Sequence, residues 1–243
     1  MYKKVWWLGT HKGHGNFGDV LTPFILDHFK FNYTYTPSFS EADIISTGSI
    51  IRRAQKNTSV LGSGLISLHD KINPAANFVF VRGPLTRKKI LDVGGTCSEF
   101  FGDPGILLPL IYKKNVKKEY KLGIAPHMSD YVEVLNQYKN NNSVNVIKLR
   151  TRNVTDTLDE FMKCEKIMSS SLHGIIISHS YGIPAGWFIM NKLKGDNIKF
   201  NDYFASVDLH NVSVSSLQNP KYFLPKKIDN KKVYDRLAEF LKD

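Results

Sequence analysis

Cysteine is nearly absent: the 243 residues contain two, Cys97 and Cys164. Two thiols so far apart in sequence build neither a disulfide framework nor a metal knuckle, and both read as reduced core residues. Long apolar runs are also missing. No stretch approaches the roughly eighteen apolar residues that span a bilayer. The start, Met1-Tyr-Lys-Lys-Val-Trp-Trp-Leu-Gly9, joins basic residues to an apolar segment too short for a signal peptide and without a small-residue cleavage site. Together these absences give the expectation of a cytoplasmic protein. Acidic residues are the scarce charge, 22 against 33 lysines and arginines, and the surplus of +11 implies anionic partners. Phosphorylated metabolites, anionic lipid surfaces and nucleic acid share that sign. Nucleic acid ranks last, because no recognisable module is present. The pairs Lys113-Lys114, Lys117-Lys118, Lys226-Lys227 and Lys231-Lys232 are scattered rather than interleaved with aromatic platforms. No internal repeat or low-complexity segment occurs.

What is present is ordinary globular material, 42% hydrophobic and 23% charged, sufficient for one large domain or two of roughly 110 to 125 residues. Short apolar runs alternate with amphipathic stretches twice over. Strands are expected at Lys4–Leu8, Asp43–Thr47, Ser59–Leu61 and Phe78–Val81, with helices at Val20–Phe29 and Pro84–Leu91. The lysine-rich stretch Tyr112–Lys121 then reads as a solvated linker. The pattern restarts with strands at Leu122–Ala125, Val144–Leu149, Lys166–Met168 and Ala185–Ile189. Helices intervene at Ser129–Tyr138, Thr155–Lys163 and His173–Tyr181. This is the pattern of parallel α/β layers. The expected fold class is α/β, two Rossmann-like domains facing across a cleft. The domains cover 1–112 and 121–225, and a last helix within 226–243 packs back on the first.

In doubly wound sheets, ligands bind beyond the carboxyl ends of the strands, and the informative residues of this chain cluster there. Gly13-His-Gly15-Asn-Phe-Gly18 matches a dinucleotide fingerprint. No acidic residue closes the next strand near Phe31–Thr36, however, so a nicotinamide reading is set aside. Asp19 is either an N-turn acid or a functional carboxylate. Arg82 precedes a helix opened by Pro84, and His127 follows a strand. In Glu165–Pro184, Ser169, Ser170 and Ser171 lead into His173 as helical spacing begins. Unpaired N–H groups at such a start suit phosphate or carboxylate. The alternative is simple capping, with His173 packed beneath the helix. His179 lies off the face of His173 and reads as structural. No carboxylate grouping near His11 or His14 suggests a metal.

In order, Asn16-Phe-Gly-Asp19, Val81-Arg82-Gly83-Pro84-Leu-Thr86, Gly102-Asp103-Pro104, Pro126-His127, Ser170-Ser171-Leu172-His173-Gly174 and Tyr181-Gly182-Ile183-Pro184 resemble the polysaccharide pyruvyl transferase family. The likeness extends to Lys199–Ser206. It implies a glycosyltransferase-B-like pair of domains and phosphoenolpyruvate as co-substrate, with no further cofactor and no metal. It also implies a sugar acceptor of a bacterial capsule, exopolysaccharide or cell-wall glycan, joined to pyruvate as a cyclic ketal. On this resemblance His173 is the acid that also stabilises departing phosphate, Asp19 the base for the sugar hydroxyl, and Arg82 the bidentate grip on an oxyanion. The donor side takes Ser170, Ser171, Leu172, Gly174 and His127. Many members carry an arginine where this chain has Ser171, and Arg150 and Arg152 are the candidate substitutes. The acceptor side takes Asn16, Gly18, His14, Lys199, Asp202 and Tyr203. A lipid-linked acceptor at an anionic membrane would suit the surplus charge. A nucleotide-sugar glycosyltransferase and a non-catalytic anion or glycan sensor remain the rival readings.

Overall fold

The structure, a computed structural model, describes residues 2–9, 15–191 and 195–242. The first half is a five-stranded sheet made of β1 (Lys3–Trp6), β2 (Tyr33–Tyr35), β3 (Ile44–Ile45), β4 (Ser59–Leu61) and β5 (Asn77–Phe80). These strands lie in the order β2-β1-β3-β4-β5, and every pairing is parallel. The second half holds β6 (Leu122–Ala125), β7 (Val144–Val146), β8 (Ile167–Ser169) and β9 (Ala185–Trp187), ordered β7-β6-β8-β9 and again all parallel. In both sheets the first strand sits between the second and third, so each has a switch point where successive connections diverge. The β1 and β6 loops open beside those points.

The helices are α1 (Phe17–His28), α2 (Pro84–Asp92), α3 (Leu108–Ile111), α4 (Tyr131–Tyr138), α5 (Val154–Met162), α6 (Leu172–Ser180), α7 (Ile198–Ser206) and α8 (Asn230–Phe240). A 3-10 turn at Pro104–Leu107 precedes α3. Expected strands and helices coincide with these within a few residues. Three elements were not anticipated: β2, α7 and the four-residue α3 that continues the 104–107 turn. β2 is a short edge strand whose residues are at least partly exposed, so no apolar run marks it. α7, where no helical pattern is expected, is a regular helix that buries Ile198, Phe200, Asp202, Tyr203 and Phe204. It lies against α2 of the first half, and α8 lies against the 104–107 turn.

One hydrophobic cluster runs through both halves. Val5, Ile44 and Leu61 under the first sheet join Ala125, Ile167 and Ala185 under the second through Phe17, Leu107, Leu172 and Ile176. At this junction the halves are in direct apolar contact. Cys164 is buried and Cys97 half-buried, both as free thiols.

Candidate functional site

Two helix starts meet at the junction. Asn16 caps α1, its side chain accepting from Gly18 N at 3.2 Å, while Phe17 N donates to Leu149 O of the second half at 2.9 Å. This tether aims the first turn of α1, with Asp19, at the second sheet. At the opposite side, Ser169 Oγ donates to Ala125 O at 2.6 Å and accepts from Ser171 N at 3.0 Å, fixing the turn from β8 into α6. His173 projects from the first turn of α6. Gly18 carries no Cβ, and one placed there would overlap the His173 ring, so the imidazole lies directly on the α1 backbone.

Asp103 completes the group. It caps the 3-10 turn with Oδ1, accepting from Gly105 N at 2.9 Å, and its Oδ2 lies 3.7 Å from His173 Nε2. Neither Asp103 Oδ2 nor His173 Nε2 has a hydrogen-bond partner, although both atoms are buried. Thr47 Oγ1 is buried and unpartnered as well. The next residue, Gly48, adopts φ +115° and brings its backbone close to the Asp19 carboxylate. Asp19 is 7% exposed and the His173 side chain 12%. Burial pushes the Asp19 carboxyl up to about 7, against the opposing pull of His173 and of the Asn16 hydrogen bond. A carboxyl in that range exchanges its proton near neutral pH. The positive ends of α1 and α6 face the same small volume, which favours negative charge arriving there.

A second polar cluster lies nearby and is of a different kind. Arg82 is 0% exposed. Its Nε donates to Asp202 Oδ2 at 3.2 Å, Nη1 to Ser49 Oγ at 2.8 Å and Nη2 to Leu65 O at 2.7 Å. Asp202 also accepts from Thr86 N at 2.9 Å and Thr86 Oγ1 at 2.6 Å. Helix α2 has no side-chain cap of its own, so Asp202 supplies one from α7. The Arg82-Gly-Pro-Leu-Thr86 run is thus a buried clasp joining α2 to α7. The expected position of Arg82, open on a rim to grip an oxyanion, is corrected: its donors point inward to protein acceptors.

Asp202 and Tyr203 are corrected likewise. Both are fully buried, and the Tyr203 hydroxyl pairs with His179 Nδ1 at 3.1 Å while His179 Nε2 meets Phe223 O at 3.0 Å. Burial pushes His179 down to about 4, so it is a neutral core residue, as its offset from His173 suggested. Ser170 Oγ accepts from His127 N at 2.8 Å and donates to Asp130 Oδ2 at 3.2 Å, which leaves it a tether. Leu172 is apolar packing, and Gly174 is pressed against Ser169. Ser171 makes no capping bond with its side chain. Arg150 and Arg152 are exposed in the loop before α5, where Arg152 borders a groove with Trp7 and Phe24. His127 and Lys199 are both half-buried. His11 and His14 lie outside the described residues.

Of the expected residues, the structure brings together Asn16, Gly18, Asp19 and His173. Asp103 was quoted within a motif but given no role. Asp before Pro signals a cap, whereas nothing local signals a histidine from another sheet. A groove of about 710 Å³ includes Asp103, Tyr203 and Lys232 in its walls but neither Asp19 nor His173. Among the described residues no group of three or more His, Cys, Asp or Glu side chains is arranged to hold a metal ion. No helix among them is long and apolar enough to cross a membrane.

Comparison with known proteins accords with this motif order. The profile described as Polysaccharide pyruvyl transferase matches residues 11–192. The chain is also similar to the Uncharacterized protein L143 of Acanthamoeba polyphaga mimivirus, with 36% identity over 181 residues. That alignment covers 70% of this chain and 60% of the viral protein. The chain belongs to the polysaccharide pyruvyl transferase family.

Proposed function

We propose that this member of the family transfers the pyruvate group of phosphoenolpyruvate to two hydroxyls of one sugar, forming a cyclic ketal and releasing phosphate. The observation that carries the reading is the pairing of Asp19 with His173 at two facing helix starts, with Asp103 behind the imidazole. Asp19, with its carboxyl raised to about 7, suits a base that accepts a sugar hydroxyl proton near neutral pH. His173 is the acid. As the first hydroxyl oxygen bonds to C2 of the donor, His173 delivers a proton to C3, which becomes the methyl group. The second hydroxyl then adds to C2 as the C2–O bond to phosphate breaks. In each step Asp19 takes the proton of the attacking hydroxyl while His173 gives one, to C3 in the first step and to the phosphate in the second, and after each step solvent carries the proton from Asp19 back to His173. The two hydroxyl protons thus end on C3 and on phosphate, and both side chains return to their starting states.

Asp103 is a positioning residue in this scheme. Its carboxylate Oδ2, 3.7 Å from Nε2, holds the ring's orientation. The acceptor is a glycan. A lipid-linked form is favoured by the +11 charge, which draws the protein to anionic surfaces at low salt. The test is incubation with phosphoenolpyruvate and a panel of galactose- and mannose-type acceptors, following phosphate release and the mass of the sugar. Phosphate release with a mass gain of one ketal-linked pyruvate is expected. Consumption of a nucleotide sugar in its place would assign a glycosyltransferase, and binding without turnover of either would assign a sensor.

A further inference from the structure

A groove of about 810 Å³ opens where α1 and the start of α5 lie against each other, a volume within the range of small-ligand sites. The first half supplies one wall, with Trp7 just past β1 and Val20, Pro23 and Phe24 on α1. Spacings of three and four residues put those helical side chains on one face. The second half supplies the other wall, from Arg152 to Thr155. The halves touch beside it, because Gly15 lies so close to the next backbone that a Cβ there would overlap Thr151 O. The groove therefore crosses the junction, and its wall begins one residue from Asp19.

Two polar atoms of the apolar wall are left open. The Trp7 side chain is 7% exposed and is held edge-on by Tyr35, with ring centroids 4.6 Å apart, yet its Nε1 has no acceptor. A buried indole N–H ordinarily has one. Pro23 has no N–H to give, so the Asp19 carbonyl loses its helical donor beside the ring that lines the groove. Neighbouring polar groups are engaged. Asp27 accepts from the Tyr33 hydroxyl at 2.9 Å, and Asn153 Oδ1 takes Asp156 N at 3.1 Å and Thr155 Oγ1 at 3.0 Å. A sugar ring supplies what this wall lacks. Its C–H faces cover aromatic carbon, and its hydroxyls both accept from an indole N–H and donate to a carbonyl. The family acts on polysaccharide, so the reacting sugar has neighbours in its chain that need a place to lie.

We propose that this groove is a subsite for the sugars flanking the reacting one, packed on Trp7 and Phe24 and paired with the indole N–H and the Asp19 carbonyl. The proposal rests on the transfer reading given above, in which Asp19 takes the proton of the reacting sugar. It makes the protein selective for oligosaccharide over monosaccharide acceptors.

The test compares galactose-, glucose- and mannose-type tetrasaccharides with their methyl monosaccharides, by equilibrium binding and by acceptor KM, in wild type, Phe24→Ala, Thr155→Trp and Trp7→Phe. Wild type is expected to favour a tetrasaccharide. Phe24→Ala removes part of one wall, and Thr155→Trp fills the groove from a half-buried position on the other. Each should raise the tetrasaccharide KM about tenfold, toward that of the monosaccharide, with KM for phosphoenolpyruvate unchanged. Trp7→Phe keeps a ring and drops the N–H, and should raise the tetrasaccharide KM about fivefold without lowering the unfolding midpoint. If wild type transfers pyruvate and the tetrasaccharide KM is unchanged in both Phe24→Ala and Thr155→Trp, the subsite is overturned and the transfer reading stands. If tetrasaccharide binding depends on Phe24 but phosphoenolpyruvate is not consumed, the subsite stands and the donor falls. Neither binding nor transfer of any tetrasaccharide by wild type overturns both.

Discussion

Two polar clusters lie in the interior of this protein, both largely removed from solvent and very differently satisfied. In the Arg82–Asp202 clasp each guanidinium nitrogen and both carboxylate oxygens have protein partners. In the Asp19–His173–Asp103 group, His173 Nε2 and Asp103 Oδ2 have none, and the Asp19 carboxyl is raised to about 7. Buried polar groups are nearly always hydrogen-bonded, because leaving one unpaired costs about 1–3 kcal/mol. A cluster that closes all its bonds holds structure together. One that leaves bonds open keeps atoms available for a substrate. Motif spelling does not distinguish the two, and the sequence reading gave Arg82 and His173 the same kind of role.

The largest effect should come from opening the clasp. Arg82→Met leaves Asp202 buried without its counter-charge, and a loss of about 3–5 kcal/mol is expected in urea denaturation. A loss below about 1 kcal/mol would place the pair in water and erase the contrast. Replacing both partners, Arg82→Met with Asp202→Leu, should recover much of the stability, since the unpaired charge is then gone.

Asp19 gives the next effect, and its sign differs. Its pKa is raised in the folded state, so its stabilising contribution is complete below the ordinary carboxyl value of 3.8 and is lost as pH rises through about 7. His179, lowered to about 4, works in the opposite sense, its contribution being lost as pH falls from 6.5 toward 4. The informative quantity is therefore the difference between Asp19→Asn and wild type. The variant should gain on the order of 1–3 kcal/mol relative to wild type between pH 4 and pH 8, read from denaturation midpoints across that range. A pH-independent difference would show that Asp19 is not held protonated.

A smaller effect is expected from Asp103→Asn. The side chain keeps its size and its cap on Gly105, but loses the charge beside Nε2. Transfer should fall about tenfold through kcat, with both KM values and the denaturation midpoint near those of wild type. An unchanged kcat would make Asp103 a cap and nothing more. The smallest effect is from a chelator: with charge supplied by side chains and helix starts, EDTA should change the transfer rate less than about twofold. Loss restored by magnesium would contradict that.

The comparison also marks what was legible in the sequence. Parallel strands such as Ser59–Leu61 and Leu122–Ala125 were readable because burial on both faces requires a short apolar run. Tyr33–Tyr35 was not, since an edge strand need not be apolar. Helix α7 was obscured because its start, Asn197, is left-handed at φ 66° and provides no side-chain cap, and because its partner α2 is in the other half. The Asn16–Asp19 and Ser170–Gly174 starts were visible as local capping patterns, and their convergence followed from strand order. Burial of Arg82 was invisible, since its partner lies 120 residues away. The same distance problem hid the link between Asp103 and His173.

The unsatisfied cluster, rather than the satisfied one, is thus expected to carry the chemistry. The most direct measurement is the phosphoenolpyruvate-dependent transfer rate of His173→Gln, compared with wild type at equal folded fraction. A loss on the order of a hundredfold or more is expected in a protein that still unfolds near the wild-type midpoint. Transfer at a near-wild-type rate by that variant would contradict it.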